Sequence, residues 1–214
     1  MGLIRSWKIP DPTRLDEPTI ESGCPEWCNN ACLAACPTGA LYAPFKMNPR
    51  LCIAFNSYYG DGLTPLKLRE PMGTWVYGCD RCQEVCPRNQ PWMNQSLPEN
   101  PQLMERAPDF ELTTLLTMNN DHYQEKVWPL TFYISRKKVS KWQMNAARAL
   151  GNLGDRDKTP LLIDALNNNP DELVRGMSAW ALGRLGGKHA KKALEGRRNI
   201  ETGIVKDELE RALE

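Results

Sequence analysis

The chain has 214 residues, 27 Lys+Arg against 26 Asp+Glu, and eight cysteines. That length holds one large or two small domains. The mean hydropathy of −0.53 and the lack of any long apolar run exclude a membrane-spanning helix. Charge is unevenly spread. Residues 1–132 carry 11 Lys+Arg and 15 Asp+Glu, and residues 133–214 carry 16 and 11. The split predicts two regions with different partners. The N-terminus shows no apolar core followed by a small-residue cleavage site, so the expected location is the cytoplasm.

Residues 1–20 read as an extended arm, because "KIPDPTRLDEPT" sets Pro10, Pro12 and Pro18 close together. All eight cysteines follow within residues 24–86. They come as "CPEWCNNACLAACP" at 24–37, Cys52 alone, and "GCDRCQEVCP" at 78–87. Four disulfides are one reading, but cytosolic thiols stay reduced and residues 87–214 hold no cysteine. Zinc is a stronger rival, since C-x-x-C pairs bind it well. The endings favour iron–sulfur. Both runs close with three intervening residues and then Cys-Pro, as bacterial two-cluster ferredoxins do.

In that arrangement the last cysteine of each run reaches across to the other cluster. Cys24, Cys28 and Cys32 then hold a first [4Fe–4S] cluster completed by Cys86. Cys79 and Cys82 hold a second with Cys36, and Cys52 is the only thiol left for its fourth position. The bland alternative for Cys52 is a buried structural thiol. The first run departs from the usual spacing, with three residues in each early gap instead of two. Pro25 and the Asn29-Asn30 pair are expected to form the bulges, since Asn tolerates left-handed backbone.

Residues 133–214 contain an internal repeat. "NAARALGNLG" at 145–154 aligns with "MSAWALGRLG" at 177–186, and "VKDELERAL" at 205–213 begins a third copy. This period predicts an α-solenoid of HEAT type. Ala146, Ala149, Leu150 and Leu153 follow helical spacing as its inner face. Gly154 and Gly186 are predicted to end their helices in a left-handed conformation, and Asn169-Pro170-Asp171 to break the chain before the next. Arg136, Lys137, Lys138, Lys141, Arg148 and Arg175 lie in this region and are candidates for holding RNA phosphates; the alternative is a solvated face. His122 and His189 are expected on the surface. Tyr58, Tyr59, Trp75 and Tyr77 are expected to shield cluster sulfur from water. No dinucleotide or phosphate-loop motif is present.

"CLAACPTGAL", "RLCIAFNSY" and "YGCDRCQEVCPRNQP" together resemble the iron–sulfur segment of the epoxyqueuosine reductase family. The resemblance implies a mostly α fold: a ferredoxin-like double [4Fe–4S] module over 21–92, a helical connector over 93–132 and HEAT-like repeats over 133–214. It also implies that Cys52 ligates the second cluster and that the repeats help hold tRNA. It implies electron delivery to cobalamin in queuosine tRNA modification, fed by an external low-potential donor. The family's cobalamin-binding domain and catalytic acid are expected ahead of the first cysteine run. Only 23 residues precede Cys24, so no catalytic residue is carried over, and cobalamin is expected only with a separate domain or partner protein. Where the family has Arg before "NA", this chain has Met144. The reading from another class is a HEAT-repeat RNA- or protein-binding module with structural clusters.

Overall fold

The computed structural model describes Cys24 and residues 26–214. The arm over 1–20 and the bulge expected at Pro25 lie outside the described residues. Glu26–Cys28 make one 3-10 turn, and Asn29 and Asn30 follow at φ 48° and 55°. Both asparagines thus take the left-handed backbone expected of them. They turn the chain into α1 (Ala31–Ala35), which stops at Cys36, just before Pro37. Pro cannot continue the helix's hydrogen bonding. A small antiparallel hairpin follows, β1 (Leu41–Ala43) with β2 (Lys46–Met47), Leu41 opposite Met47. Asn48 caps a turn over Pro49–Leu51 by accepting the Arg50 amide at 3.0 Å, and this turn delivers Cys52 to the start of α2 (Ile53–Tyr58).

Three more short helices complete this half: α3 (Leu66–Arg69), α4 (Arg81–Glu84) and α5 (Gln90–Met93). Its apolar core is small. Ile53, Leu68 and Met72 are buried together, with Leu51, Trp75 and Cys79 packed against them. Then come α6 (Pro101–Arg106), capped by the Asn100 side chain, α7 (Leu112–Thr117), α8 (Asn120–His122) and a π turn over Tyr123–Val127.

The rest is helical hairpins: α9 (Val139–Leu153), α10 (Thr159–Asn168), α11 (Glu172–Leu185), α12 (Lys188–Arg198) and α13 (Gly203–Leu213). Helix α11 is central and packs on α9, α10 and α13. Ala146, Ala149 and Leu150 are buried as their spacing predicts, but Leu153 is 52% exposed. It is the last residue of α9, on the side turned away from the Gly151 contact with α11. Gly154 adopts the left-handed cap at φ 75°, ψ 9°, whereas Gly186 sits at φ 63°, ψ −164°. Gly186 therefore ends α11 in an extended glycine conformation rather than the predicted one. Asp171 caps α11 by accepting the Leu173 amide at 2.9 Å, so the Asn-Pro-Asp break acts as expected.

A second glycine pair sets how tightly the repeats stack. A Cβ on Gly151 would lie 2.8 Å from Ala181 Cβ, and one on Gly183 would lie 2.8 Å from Ala212 Cβ. The two glycines occupy the same place in the repeat, and each receives the alanine of the next packed helix. Each repeat thus contacts its neighbour through the same close approach, as solenoids do. The chain is mostly α, and none of its described helices is long and apolar enough to cross a membrane.

Candidate metal centres

The short elements gather the thiols. Cys24 is held at a raised pKa, by desolvation first and then by Cys28, Cys32 and Cys86. Cys79 is raised by burial first and then, against the Arg81 amide, by Cys82, Cys52 and Cys36. Like charges disfavour the thiolate only when they are near, so these causes name each thiol's neighbours. Cys24 meets two partners from its own run and one from the last run. Cys79 meets one from its own, one from the first run, and Cys52. Cys82, raised chiefly by burial, also feels Cys52 and Cys32, so the two groups adjoin.

Cys36 differs in sign. Desolvation opposes its ionisation, but hydrogen bonds from the amides of Leu41, Thr38 and Ala40 and from the Thr38 hydroxyl prevail and lower its pKa. The Thr38 Oγ1 lies 3.7 Å from Cys36 Sγ. Hydrogen bonds to sulfur are a main lever on an iron–sulfur potential. Seven of the thiols are half-buried and Cys24 is exposed. Among the described residues no three His, Cys, Asp or Glu side chains form a single-ion cage; the thiols are neighbours at longer range. Eight thiols in two adjoining groups, with amides aimed at sulfur, fit a pair of cuboidal clusters in which each thiolate binds its own iron.

The segment leading into Cys79 is held from outside the module. Helix α9 presents a row of polar side chains to it. Asn145 Nδ2 donates to the carbonyls of Ser57 at 3.1 Å and Val76 at 2.9 Å. Arg148 donates to the carbonyls of Gly73 at 2.7 Å and of Trp75. Asn152 donates to those of Arg69 and Gly73 at 2.6 and 2.8 Å. The Ser57 hydroxyl accepts the Gly78 amide at 3.0 Å. Gly78 has φ 69°, and a Cβ there would collide with the Tyr58 hydroxyl. Farther along, Arg69 reaches Glu208 of α13 through two bonds of 2.6 and 2.9 Å, both side chains buried. The sequence marks none of these partners, because every one of the α9 bonds goes to a backbone carbonyl far along the chain.

Three of the six basic candidates are occupied here. Arg148 is 0% exposed, and burial lowers its pKa to about 10. It cannot be part of an RNA-facing surface, which corrects that expectation: its guanidinium satisfies buried carbonyls. Lys141 donates to the Gly60 carbonyl at 2.6 Å, and burial lowers it to about 8. Arg175 pairs with Glu201 at 3.0 Å and donates to the carbonyls of Asn169 and Pro170. Arg136, Lys137 and Lys138 are exposed, and Met144 is buried. His189 is exposed, as expected, and His122 stands 3.3 Å from Asp109.

The aromatics divide. Trp75 packs with Cys79, in line with shielding. Tyr58 and Tyr77 instead join the solenoid. Tyr58 lies 4.5 Å from Tyr77, ring to ring, and Tyr77 stacks on Trp142 of α9 at 5.0 Å and 7°. Burial pushes the Tyr58 phenol up to about 12. Tyr59 is 54% exposed.

Comparison with known proteins agrees with this division. The 4Fe-4S double cluster binding domain matches residues 24–89, and the HEAT repeats family matches residues 136–214. The epoxyqueuosine reductase of Listeria monocytogenes is 36% identical over 169 residues, covering 78% of this chain and 43% of that one. A solved epoxyqueuosine reductase, determined with an epoxyqueuosine-modified tRNA stem loop, superposes with a TM-score of 0.70 at 31% identity. That match covers 85% of this chain and 48% of the other. The chain belongs to the epoxyqueuosine reductase family. It spans about half the length of the epoxyqueuosine reductases it matches. A Geobacillus stearothermophilus relative described as "Uncharacterized protein in gldA 3'region" is 33% identical over 192 residues, covering 86% of this chain and 84% of its own. Within the epoxyqueuosine reductase family, then, this chain carries the double-cluster and HEAT segments.

Proposed function

We propose that this chain is the electron-delivering part of an epoxyqueuosine-reducing system acting on tRNA. Cys24, Cys28, Cys32 and Cys86 hold one [4Fe–4S] cluster, and Cys36, Cys52, Cys79 and Cys82 hold the other. The observation that carries this reading is the neighbourhood of thiols: Cys24 is grouped with Cys86, and Cys79 with Cys36 and Cys52. Two clusters so close supply electrons one at a time at low potential. Reducing an epoxide with loss of its oxygen consumes two electrons and two protons and releases water.

The electrons go to a cobalamin held by a separate domain or a partner protein. Trp27, Tyr42, Phe45 and Met47, all on the cluster module, stand 67%, 63%, 79% and 48% exposed, and apolar surface of this kind suits a domain contact. The reductase solved with a tRNA stem loop supports tRNA as the substrate. A protein whose clusters were only structural would leave them out of turnover.

Chain purified without oxygen is expected to hold about eight irons and eight sulfides. With epoxyqueuosine-bearing tRNA, cobalamin and a chemical reductant, it turns over only when the family's cobalamin domain is added. Cys52→Ala alters one EPR signal of the reduced protein, spares the other and abolishes turnover. Zinc in place of iron, two normal signals in Cys52→Ala, or turnover by the chain alone would each contradict this reading.

A further inference from the structure

Residues 131–138 join a 3-10 turn over Trp128–Leu130 to α9 and combine two features. Phe132 is 65% and Tyr133 52% exposed, with ring centroids 4.9 Å apart. Arg136, Lys137 and Lys138 follow, all exposed. None of the three cations pairs with a carboxylate among the described residues. The backbone beneath them is pinned. Ile134 is buried, and the Tyr123 hydroxyl donates to the carbonyls of Ile134 and Ser135 at 3.3 and 3.1 Å. Thr131 Oγ1 donates to the Val127 carbonyl at 2.7 Å, and the Tyr77 hydroxyl accepts the Tyr133 amide at 3.4 Å. Tyr133 is backed by Tyr58, stacked at 5.2 Å and 27°. The rings are therefore held out in water on a fixed base. Exposed apolar groups gathered in this way mark a contact surface.

We propose that Phe132 and Tyr133 form a stacking platform for an unpaired RNA base, with Arg136, Lys137 and Lys138 holding the phosphates beside it. The proposal rests on the tRNA reading above and names the part of the RNA that is gripped. Single-stranded RNA is bound by aromatic rings that stack its splayed bases, together with cations that track its backbone. Arg136 donates to Gln124 Oε1 at 3.2 Å and lies over the Trp128 ring, but three adjacent cations with no carboxylate partner among the described residues are wrong for the core of a protein contact, which is depleted of charge, and right for a polyanion. A platform already pinned in place loses little conformational entropy on binding. Through Tyr58, whose hydroxyl abuts Gly78, the platform is continuous with the turn that carries Cys79.

The test uses the cluster-loaded chain, a labelled stem-loop RNA with an unpaired loop, and the blunt duplex of the same stem, read by fluorescence anisotropy across a salt series. Phe132→Ala is expected to weaken stem-loop binding about ten-fold, with duplex binding and the salt slope unchanged. Phe132→Trp retains binding. The Lys137→Glu, Lys138→Glu double variant weakens both RNAs and flattens the salt slope. Phe132 is mostly exposed, so an unchanged melting curve certifies the fold of its variants. If the lysine variant behaves as stated while Phe132→Ala binds like wild type, the RNA reading stands and the platform is wrong. Absence of any stem-loop binding by wild type at low salt removes both. Loss of a dimer in Phe132→Ala by light scattering would assign the rings to a protein contact and also overturn the platform.

Discussion

The two halves of the molecule are built on different principles. The solenoid has helices of 10 to 15 residues, and Leu150, Leu162, Leu166, Met177 and Leu182 are wholly removed from water in one core. The cluster module has helices of four to six residues, and its own buried cluster is Ile53, Leu68 and Met72. Helices that short are unstable alone, and three side chains bury too little area to order some seventy residues, since very small units need metals or other staples. The module therefore depends on other ties: polar latches to α9 and α13 outside and, on the function proposed above, thiolate–iron bonds inside. Where apolar area is scarce, directional bonds take over the ordering.

The severest way to break this comparison is to remove the iron. Oxidative loss of the clusters followed by chelation is expected to unfold the module while α9 to α13 remain folded, because coordination free energy in such units is folding free energy. Proteolysis should then cut freely within residues 24–92 and spare 139–213. Helical circular dichroism should fall by only a minor fraction. A cooperative collapse of both halves would mean that the solenoid also depends on the clusters.

The next test cuts one latch. Arg69 and Glu208 are buried, and Arg69 Nε also donates to the Thr64 carbonyl at 2.7 Å. Glu208→Ala leaves that guanidinium without its carboxylate, which costs about 3–5 kcal/mol. The loss is expected as a lower denaturant midpoint for the module, with the solenoid transition moved less. Replacing both partners, Arg69→Met with Glu208→Leu, should recover most of the loss, since no unpaired charge is left buried. No recovery would show that the pair carries more than its charge.

How much of this was legible beforehand also divides by region. The repeat "ALGNLG … ALGRLG" exposes the solenoid directly, because each helix answers to its own 3.6-residue pattern and to a neighbour of the same sequence. Even so, the close-packing glycines Gly151 and Gly183 escape notice beside the terminal Gly154 and Gly186. Their role depends on an alanine about 30 residues away. The cysteine spacing marks the module's donor set, and the Asn29-Asn30 bulge follows from backbone preference. The latches do not. Arg148 looks like any surface arginine on a basic stretch, and only the tertiary arrangement reveals that it serves the carbonyls of Gly73 and Trp75. Charge read along a chain does not distinguish a cation facing solvent from one filling an interface.

The smallest expected effect sharpens the comparison at its seam. Lys141 bridges α9 to the Gly60 carbonyl, and burial lowers its pKa from the ordinary 10.5 to about 8, with Lys138 adding to the shift and Asp61 opposing it. The folded state thus binds the proton less tightly than the unfolded chain. Between about pH 8 and about pH 10.5 the unfolded state carries more protons, so stability rises with pH across that window. Below it both states are protonated, and the full cost of the buried charge remains. From about pH 7.5 to about pH 9 the wild type should gain about 1 kcal/mol, read from denaturation of the cluster-loaded protein. Lys141→Met keeps the apolar stem and removes the titration, so its stability should be flat over the same interval. A wild type that weakens between those two pH values, or a methionine variant that tracks it, would show that the ammonium is better solvated than its place between the two halves implies.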